Sequence, residues 1–289
     1  MKKVYFKEIE NKVVKLISSN QFSTVYLLKD GRFFKMFNPI IVKLLKNNGS
    51  DIERKILDAK KIDNVPEIII PDSIVYDKNY FLGYTILPAK GISFVEDEDN
   101  KSKEERCNLY RYALEQVKLE NIIKRANNEG IVFPDLLTCD NIFISDSGYQ
   151  FIDYDGIQIG NIPVLQLSTM LGDDEQYEIP KYMDNNGLYN SNIDKKSLLL
   201  LYYLSAFNIN LNMVGIINPY DGKRITLDDV FNIIGLKNYD LMQATYLAVN
   251  DKLNDNIYLD SIPYQIADEY NLTIVGSTPD GDLKRLIKK

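Results

Sequence analysis

Five oxygen-bearing side chains in the middle of the chain are the first candidates for chemistry. Asp135, Asp140, Asn141, Asp153 and Asp155 lie on predicted loops between apolar runs. Carboxylate and amide oxygens suit hard cations such as Mg2+, which takes one or two carboxylates together with substrate phosphates. Phosphoryl transfer also needs a carboxylate that orients or deprotonates the attacking hydroxyl. Because Asp and Asn are also common turn residues, a set of ordinary loops is the alternative interpretation.

Lys35 is the second candidate, because it is a cation within an apolar run. In a strand it shares a face with Phe33 and Phe37. A Lys side chain on such an apolar face either finds a partner or extends to water. Glu53, in the segment that follows, is the candidate partner, and a surface lysine on an edge strand is the alternative.

The segment Ser18 to Ser23 is the third candidate, because its small residues lie at a corner between two predicted strands. Backbone N–H groups at such a corner can approach an anion. A polar hairpin without a ligand is the alternative.

Composition limits the chemistry that is available. The 289-residue chain contains no histidine, which excludes Ser-His and Cys-His catalysis and most zinc and haem sites. Cys107 and Cys139 are the two cysteines, and they form neither a disulfide framework nor a metal-binding spacing. The net charge of -7 argues against a nucleic-acid partner. A charged N-terminus and the short apolar run at 198–204 predict a cytoplasmic protein with no membrane partner.

The N-terminal part has the pattern of strands joined by tight turns. Three strands are predicted between residues 13 and 37. A helix is predicted from Ser50 to Ile62, with Ser50 as its N-cap and Glu53 completing a capping box. Glu53 can hardly complete this cap and neutralise a lysine at once.

The later segments complete the outline. Strands are predicted at 73–77 and 80–87, followed by a connector at 88–91. An amphipathic helix is predicted over 103–128, because apolar residues recur there at helical spacing. Two short strands flank the acidic loop, and the remainder is predicted to be mostly helical. Strands first and helices after them predict an α+β protein.

Taken in sequence order, these segments resemble the protein kinase-like superfamily. SSNQFSTV resembles the kinase Gly-rich loop and keeps its aromatic residue and its valine. Lys35 stands at the place of the kinase strand lysine, and Glu53 resembles its helix partner. YFLGYTILPAKG resembles the strand and hinge that receive adenine. The resemblance implies that ATP is bound by Ser18, Asn20, Phe22, Ser23, Val25, Lys35 and Leu87.

The acidic segments also resemble kinase motifs. FPDLLTCDNIFI resembles the catalytic loop, which implies Asp135 as the base and Asn141 as a metal ligand. YQFIDYDGIQIG resembles the metal-binding segment, with Asp153 as the second Mg2+ ligand and Asp155 at the kinase glycine position. Further on, Asp194 stands where the family has a residue that braces the catalytic loop.

The resemblance covers roughly residues 10 to 205 and implies a two-lobed kinase-like fold. An antiparallel-sheet N-lobe with one main helix would span 1–87, and a helical C-lobe with extra helices would span 88–289, with the hinge at about 86–91. The implied function is ATP- and Mg2+-dependent transfer of the γ-phosphoryl group to a hydroxyl, with protein Ser/Thr as the leading acceptor.

Departures from the kinase pattern keep other functions open. The loop lacks glycine, Phe133 and Pro134 replace the kinase His and Arg, and Asn141 follows Asp135 by six positions where kinases have five. Asp140 is therefore an alternative source of a metal-binding oxygen. A pseudokinase that binds nucleotide or acts as a scaffold remains an alternative. So do transfer to a small molecule and transfer of the nucleotide.

Overall fold

The structure is a computed structural model that describes most of the chain. The described residues are 1–47, 51–58, 62, 64–102, 109–134, 136, 141–164, 182–207, 209, 211, 214–215, 222 and 224–254, without the side chains of 99 and 109–114. Over these residues the protein is a mixed α+β structure, with an antiparallel-dominated sheet and several helices. The α+β class predicted from the sequence is confirmed.

The chain divides into two compact units. One comprises Met1–Phe94 and Arg125–Tyr189, and the other comprises Val95–Lys124 and Asn190–Lys289. The predicted lobes, 1–87 and 88–289, stay a prediction.

A six-stranded sheet dominates the first unit. Its strands are β1 (Lys2–Tyr5), β2 (Val13–Ser19), β3 (Ser23–Leu28), β4 (Phe33–Phe37), β5 (Ser73–Asp77) and β6 (Tyr80–Ile86). They lie in the order β1-β5-β6-β4-β3-β2. β1 is parallel to β5, and the other neighbours are antiparallel. The five strands predicted from the sequence in this region are confirmed, and β1 is an additional strand.

Burial explains why these segments pair as a sheet. Leu28, Phe34 and Val75 are buried together on three different strands, and Val4 and Ile9 pack with them. β-branched and aromatic side chains fit such a half-buried pleated surface. The sheet therefore holds β4, and with it Lys35, in a central position with a neighbour on each side.

Three short helices belong to the same unit. They are α1 (Phe6–Ile9), α2 (Pro39–Asn47) and α3 (Ile52–Leu57). The prediction of Ser50 as the cap of the third helix is wrong, because the Asp51 side chain accepts a hydrogen bond from the backbone N–H of Arg54. Ser50 itself lies outside the described residues. The helix ends at Leu57, short of the predicted end at Ile62.

Short strands complete the first unit around the acidic segment. They are β7 (Ile92–Ser93), β8 (Ile131–Val132), β9 (Ile142–Ser145), β10 (Gly148–Phe151) and β11 (Gln158–Ile159). β9 pairs with both β10 and β7, and β8 pairs with β11. The two strands predicted on either side of the acidic loop correspond to β8 and β9, and β10 follows after a tight turn.

The second unit is helical where it is described. Its helices are α4 (Phe94–Asn100), α5 (Leu109–Asn128), α6 (Asn192–Phe207), α7 (Leu227–Ile234) and α8 (Tyr239–Val249), with the first residue of α4 and the last turn of α5 assigned to the first unit. α5 confirms the predicted helix from its residue 109 onward. In the part of the chain that the structure describes, no helix has the length and apolar character needed to cross a membrane.

Candidate active site

Lys35 contacts two carboxylates that lie far from it in sequence. It is on β4, and its Nζ donates to Asp153 Oδ1. The same Nζ donates to Asp155 Oδ1 at 2.8 Å and to Asp155 Oδ2 at 2.9 Å. Hydrogen bonds between charged groups are about twice as strong as neutral ones. A strand lysine and a loop acid pair therefore form the centre of the candidate site.

A row of residues across the sheet includes Lys35. Ser18 pairs with Val25, Val25 with Lys35, and Lys35 with Tyr84, so the row crosses β2, β3, β4 and β6. Directly paired residues of antiparallel strands point to the same face of the sheet. Three residues predicted to bind nucleotide, Ser18, Val25 and Lys35, are thus brought to one face.

The backbone after β10 places the two carboxylates. Asp153 has φ 61° and ψ 54°, the left-handed conformation, and Gly156 N donates to Asp153 O at 2.8 Å. A non-glycine residue with this φ is uncommon and marks a constrained position. A Cβ on Gly156 would lie 2.6 Å from Asp153 Oδ2, so a larger residue at this position must displace that carboxylate.

Asp155 is buried and accepts hydrogen bonds at its carboxylate and at its backbone oxygen. The Tyr84 hydroxyl donates to Asp155 Oδ1 at 2.6 Å, and Lys55 Nζ donates to the Asp155 backbone oxygen at 2.7 Å. The Tyr154 hydroxyl in turn donates to the Lys55 backbone oxygen at 3.0 Å. Strand β6 and helix α3 therefore both hold the acidic turn in place.

The attraction between opposite charges decides the direction of the pKa shifts of Lys35 and Asp155. Burial disfavours the charged form of Lys35, but the charges of Asp155 and Asp153 outweigh it and raise the pKa of the ammonium. Burial also disfavours the charged form of Asp155, yet Lys35 and the Tyr84 hydrogen bond hold its pKa below the ordinary value. The pair is therefore ionised at neutral pH.

The pKa values of Lys55, Asp153 and Tyr84 shift in the direction that favours the uncharged form of each group. Burial lowers the pKa of Lys55 to about 8, and the attraction of Asp155 only partly opposes it. Burial and the neighbouring Asp155 charge raise the pKa of Asp153. Burial likewise raises the pKa of Tyr84, so its hydroxyl stays protonated and can donate. The site holds one firmly charged pair and a second lysine that loses its charge near pH 8.

The predicted ion pair between Glu53 and Lys35 is not formed, because the two residues have other partners. Glu53 Oε1 accepts a hydrogen bond of 2.7 Å from the Tyr76 hydroxyl, and Lys46 lies at 4.0 Å from its other oxygen. Lys55 is the charged residue of α3 that is buried with the acidic turn. The reason is the helical period, which places Lys55 on the buried face with Ile52 and Ile56.

The Asn20 side chain binds backbone N–H groups at the corner between β2 and β3. Asn20 Oδ1 accepts from the N–H groups of Phe22 and Ser23 at 2.8 and 2.9 Å, and Asn20 N donates to Ser23 O at 3.0 Å. Three of the N–H groups in the predicted anion-binding segment, those of Asn20, Phe22 and Ser23, are therefore already occupied within the hairpin. Of the predicted nucleotide-binding residues, Ser23 is buried and Leu87 is exposed.

The predicted metal ligands lie on neighbouring segments. The backbone oxygen of Asn141 accepts a hydrogen bond of 3.0 Å from Ile152 N, directly before Asp153. Phe133 is buried and packs against Phe151 with ring centroids 5.1 Å apart. Asp135 and Asp140 lie outside the described residues. Asp194 is buried in the first turn of α6, and its predicted bracing role stays a prediction.

The donor set fits Mg2+ bound together with phosphate. Asp153 and Asn141 offer oxygen ligands, and Asp153 keeps about a quarter of its side chain exposed, 28%. Over the described ranges no group of three His, Cys, Asp or Glu residues could hold a metal by itself. Mg2+ commonly uses one or two carboxylates and takes its other ligands from phosphate and water.

Sequence reasoning missed two residues of the site, Tyr84 and Lys55. The position of Lys55 between Ile52 and Ile56 was a usable signal for burial. Tyr84 had no such signal, since its partner Asp155 lies 71 residues away. Asp155 was noted as part of the acidic cluster but received no role.

No protein-family model matches this chain, and a search of the curated proteins finds no match.

Proposed function

We propose that this protein is an ATP- and Mg2+-dependent phosphotransferase with a two-lobed kinase-like fold. It transfers the γ-phosphoryl group to a hydroxyl, and protein Ser/Thr is the leading acceptor class. The contact of Lys35 with Asp153 carries the proposal. The two residues are 118 positions apart, and the motif resemblance assigns them to one phosphate site.

Each residue of the site has a part in this reaction. Lys35 binds phosphate oxygens, and Asp153 and Asn141 would hold Mg2+. When bound, this ion would supply positive charge that stabilises the phosphates in the transition state. Asp135 orients the acceptor hydroxyl and accepts its proton. Positioning and electrostatics provide most of the catalysis in phosphoryl transfer, so no nucleophilic side chain is required.

The electrostatics of the site support this assignment. Lys35 forms an ion pair with Asp153 and a second one with Asp155, and its charge offsets part of theirs. Phosphate and Mg2+ are opposite in charge to Lys35 and Asp153, respectively. They can therefore replace this internal ion pair without leaving either group unpaired.

Transfer of label from γ-labelled ATP tests the proposal directly. Generic protein substrates are incubated with the wild type and with Asp135→Ala, in the presence of Mg2+ or of a chelator. We expect Mg2+-dependent labelling by the wild type and a loss of about 100-fold or more in Asp135→Ala. Asp146→Asn, an exposed acid in the β9–β10 turn, is the matched control and keeps full activity.

Absence of label transfer from the wild type, with Mg2+ or Mn2+ and with both protein and small hydroxyl acceptors, would refute phosphotransfer. Equal activity of Asp135→Ala would refute the assignment of the base. Incorporation of label from α-labelled ATP would show nucleotide transfer in its place.

A pseudokinase is the second candidate, and the closed hairpin at Asn20 favours it. Two N–H groups that would face phosphate are bonded to the Asn20 side chain. Asn20→Gly releases both groups. For a pseudokinase that does not bind phosphate at this loop, we expect no gain in ATP affinity from this change. A gain of about threefold or more would favour the enzyme, because each net hydrogen bond contributes about 1 kcal/mol.

The cytoplasmic location predicted from the sequence is part of the same proposal, because that compartment supplies ATP and Mg2+. The proposal specifies the acceptor only as a hydroxyl group, which a protein or a small molecule can carry.

A further inference from the structure

We propose that Asp155, held by Tyr84 and Lys55, is the positioning residue that keeps Lys35 in place, in the role that the sequence assigned to Glu53. This inference rests on the proposed phosphotransfer, because it states how the phosphate-binding lysine stays in position when Asp153 is needed by Mg2+. It adds one acid and two supporting residues to the site.

The contacts of Lys35 distinguish its two acidic partners. Both oxygens of Asp155 accept from Lys35 Nζ, whereas Asp153 contributes one. Asp155 is also the more buried carboxylate, with 8% of its side chain exposed against 28% for Asp153. Asp155 is costly to move, because it is buried and accepts two hydrogen bonds from Lys35. Asp153 is more exposed and is therefore the acid that a metal ion can reach.

The supports of Asp155 come from two different elements. Tyr84 on β6 is directly paired with Lys35 in the sheet, and its hydroxyl donates to Asp155 Oδ1 at 2.6 Å. Lys55 on α3 donates to the backbone oxygen of Asp155 at 2.7 Å. Neighbouring strand positions thus carry both the lysine and a residue that orients its partner.

Charge balance explains why helix α3 presents a lysine to this site. Lys35 and Lys55 are two bases and Asp153 and Asp155 are two acids, so the contacts of this cluster join equal numbers of opposite charges. A glutamate buried in the place of Lys55 would give three acids against one lysine. With the anchoring acid on the turn after β10, a base on the helix keeps the buried cluster neutral.

Two measurements test the inference, and the first needs no nucleotide. The rate at which formaldehyde and a hydride donor methylate Lys35 Nζ is followed by mass spectrometry, with exposed Lys90 as the internal reference. We expect Asp155→Asn to raise the Lys35 rate about tenfold, because it removes one of two ion pairs, and Tyr84→Phe to raise it about threefold. Glu53→Gln should change that rate less than about twofold.

The second measurement is the Michaelis constant for ATP in the phosphotransfer assay. Asp155→Asn should raise KM by about tenfold and lower kcat less, because a misplaced Lys35 loses binding to the nucleotide in the ground state. Asp146→Asn, which removes the charge of an exposed acid, should leave both constants unchanged. A fall in thermal stability with no change in KM would mean a merely structural role and would overturn the inference.

The two measurements separate this inference from the proposed function. If the wild type transfers no phosphate, the proposed function fails, and the methylation rates still decide whether Asp155 anchors Lys35. If Glu53→Gln accelerates methylation as much as Asp155→Asn does, the inference fails while phosphotransfer can stand. If Asp155→Asn does not fold, Tyr84→Phe decides, and an unchanged Lys35 rate in that variant counts against the inference.

Discussion

Lys35 contacts Asp153 and Asp155 as their main neutralising charge, since Lys55 reaches only the backbone oxygen of Asp155. Removal of one partner from a buried pair leaves an uncompensated charge, which is far costlier than the absence of the whole pair. The residues of this site are therefore coupled, and the effect of one substitution on stability includes the response of its charged neighbours.

Substitution of Lys35 by methionine tests this coupling. Lys35→Met should lower the free energy of unfolding at pH 7 by about 3 kcal/mol, because two buried carboxylates then repel each other. The loss should shrink towards pH 4, since burial and Asp155 already raise the pKa of Asp153, which can take up a proton.

Urea unfolding at the two pH values measures this effect, with the exposed Lys90→Met as the control. The double variant Lys35→Met with Asp153→Asn should recover part of the loss at pH 7. A Lys35→Met protein as stable as the wild type at neutral pH would contradict the coupling.

Because Gly156 has no side chain, the Asp153 carboxylate can lie close to the Gly156 backbone in the turn after β10. Gly156→Ala places a Cβ 2.6 Å from Asp153 Oδ2 and must displace that carboxylate. We expect Mg2+-dependent ATP binding to weaken about tenfold, a cost comparable to one charged hydrogen bond. Isothermal titration with and without Mg2+ measures this change.

Gly148→Ala is the matched control for that prediction. Gly148 has φ 113° and open space around a new Cβ, so alanine costs stability through backbone strain alone. It should lower the melting temperature and leave ATP affinity unchanged. Equal affinity in Gly156→Ala and the wild type would show that the carboxylate position is unimportant.

Helix α3 is the element whose buried residue decides a pH dependence. Burial lowers the pKa of Lys55 from 10.5 to about 8. Between these values the unfolded chain holds more protons at this residue than the folded chain. The free energy of unfolding therefore rises with pH through this window, and the folded protein is penalised most below pH 8.

The expected rise is about 1 kcal/mol between pH 7 and pH 9. Urea unfolding at the two pH values measures it, and Lys55→Met should abolish the rise. Above pH 10 the sign reverses, because burial raises the pKa values of Tyr84 and Tyr154 and their deprotonation favours unfolding. A stability that is flat or falls from pH 7 to pH 9 would contradict this account.

At the scale of the whole molecule, ligand binding should appear as added stability. A ligand that binds only the folded protein contributes about 2.7 kcal/mol when its concentration is 100 times Kd. We expect ATP with Mg2+ to raise the melting temperature by several degrees, and ATP with a chelator to raise it less. Differential scanning fluorimetry measures both shifts.

The response to Lys35→Met and Asp146→Asn sharpens this measurement. The Mg2+-dependent shift should be lost in Lys35→Met and kept in Asp146→Asn, whose residue lies in the β9–β10 turn. A wild-type protein that is indifferent to nucleotide with and without Mg2+ would exclude both an ATP-dependent enzyme and a nucleotide-binding pseudokinase, and would favour a scaffold.

The amino-acid sequence by itself determined the strands β2 to β6, because alternating apolar residues and tight-turn residues are local signals. It also predicted Lys35 and Asp153 as members of one site, and the structure places them in contact. Helix lengths and caps were less predictable, as Asp51 shows, since Ser and Asp at adjacent positions are both favourable N-caps.

Only the tertiary structure decided which partners the charged residues have. Helical rotation directs Lys55 to the acidic turn and Glu53 to Tyr76, and strand register brings Tyr84 beside Lys35. Such choices depend on contacts between residues 23 to 100 positions apart, which local patterns do not encode. The physical reason is that a buried charge selects its partner by the geometry of packed elements and by the cost of desolvation.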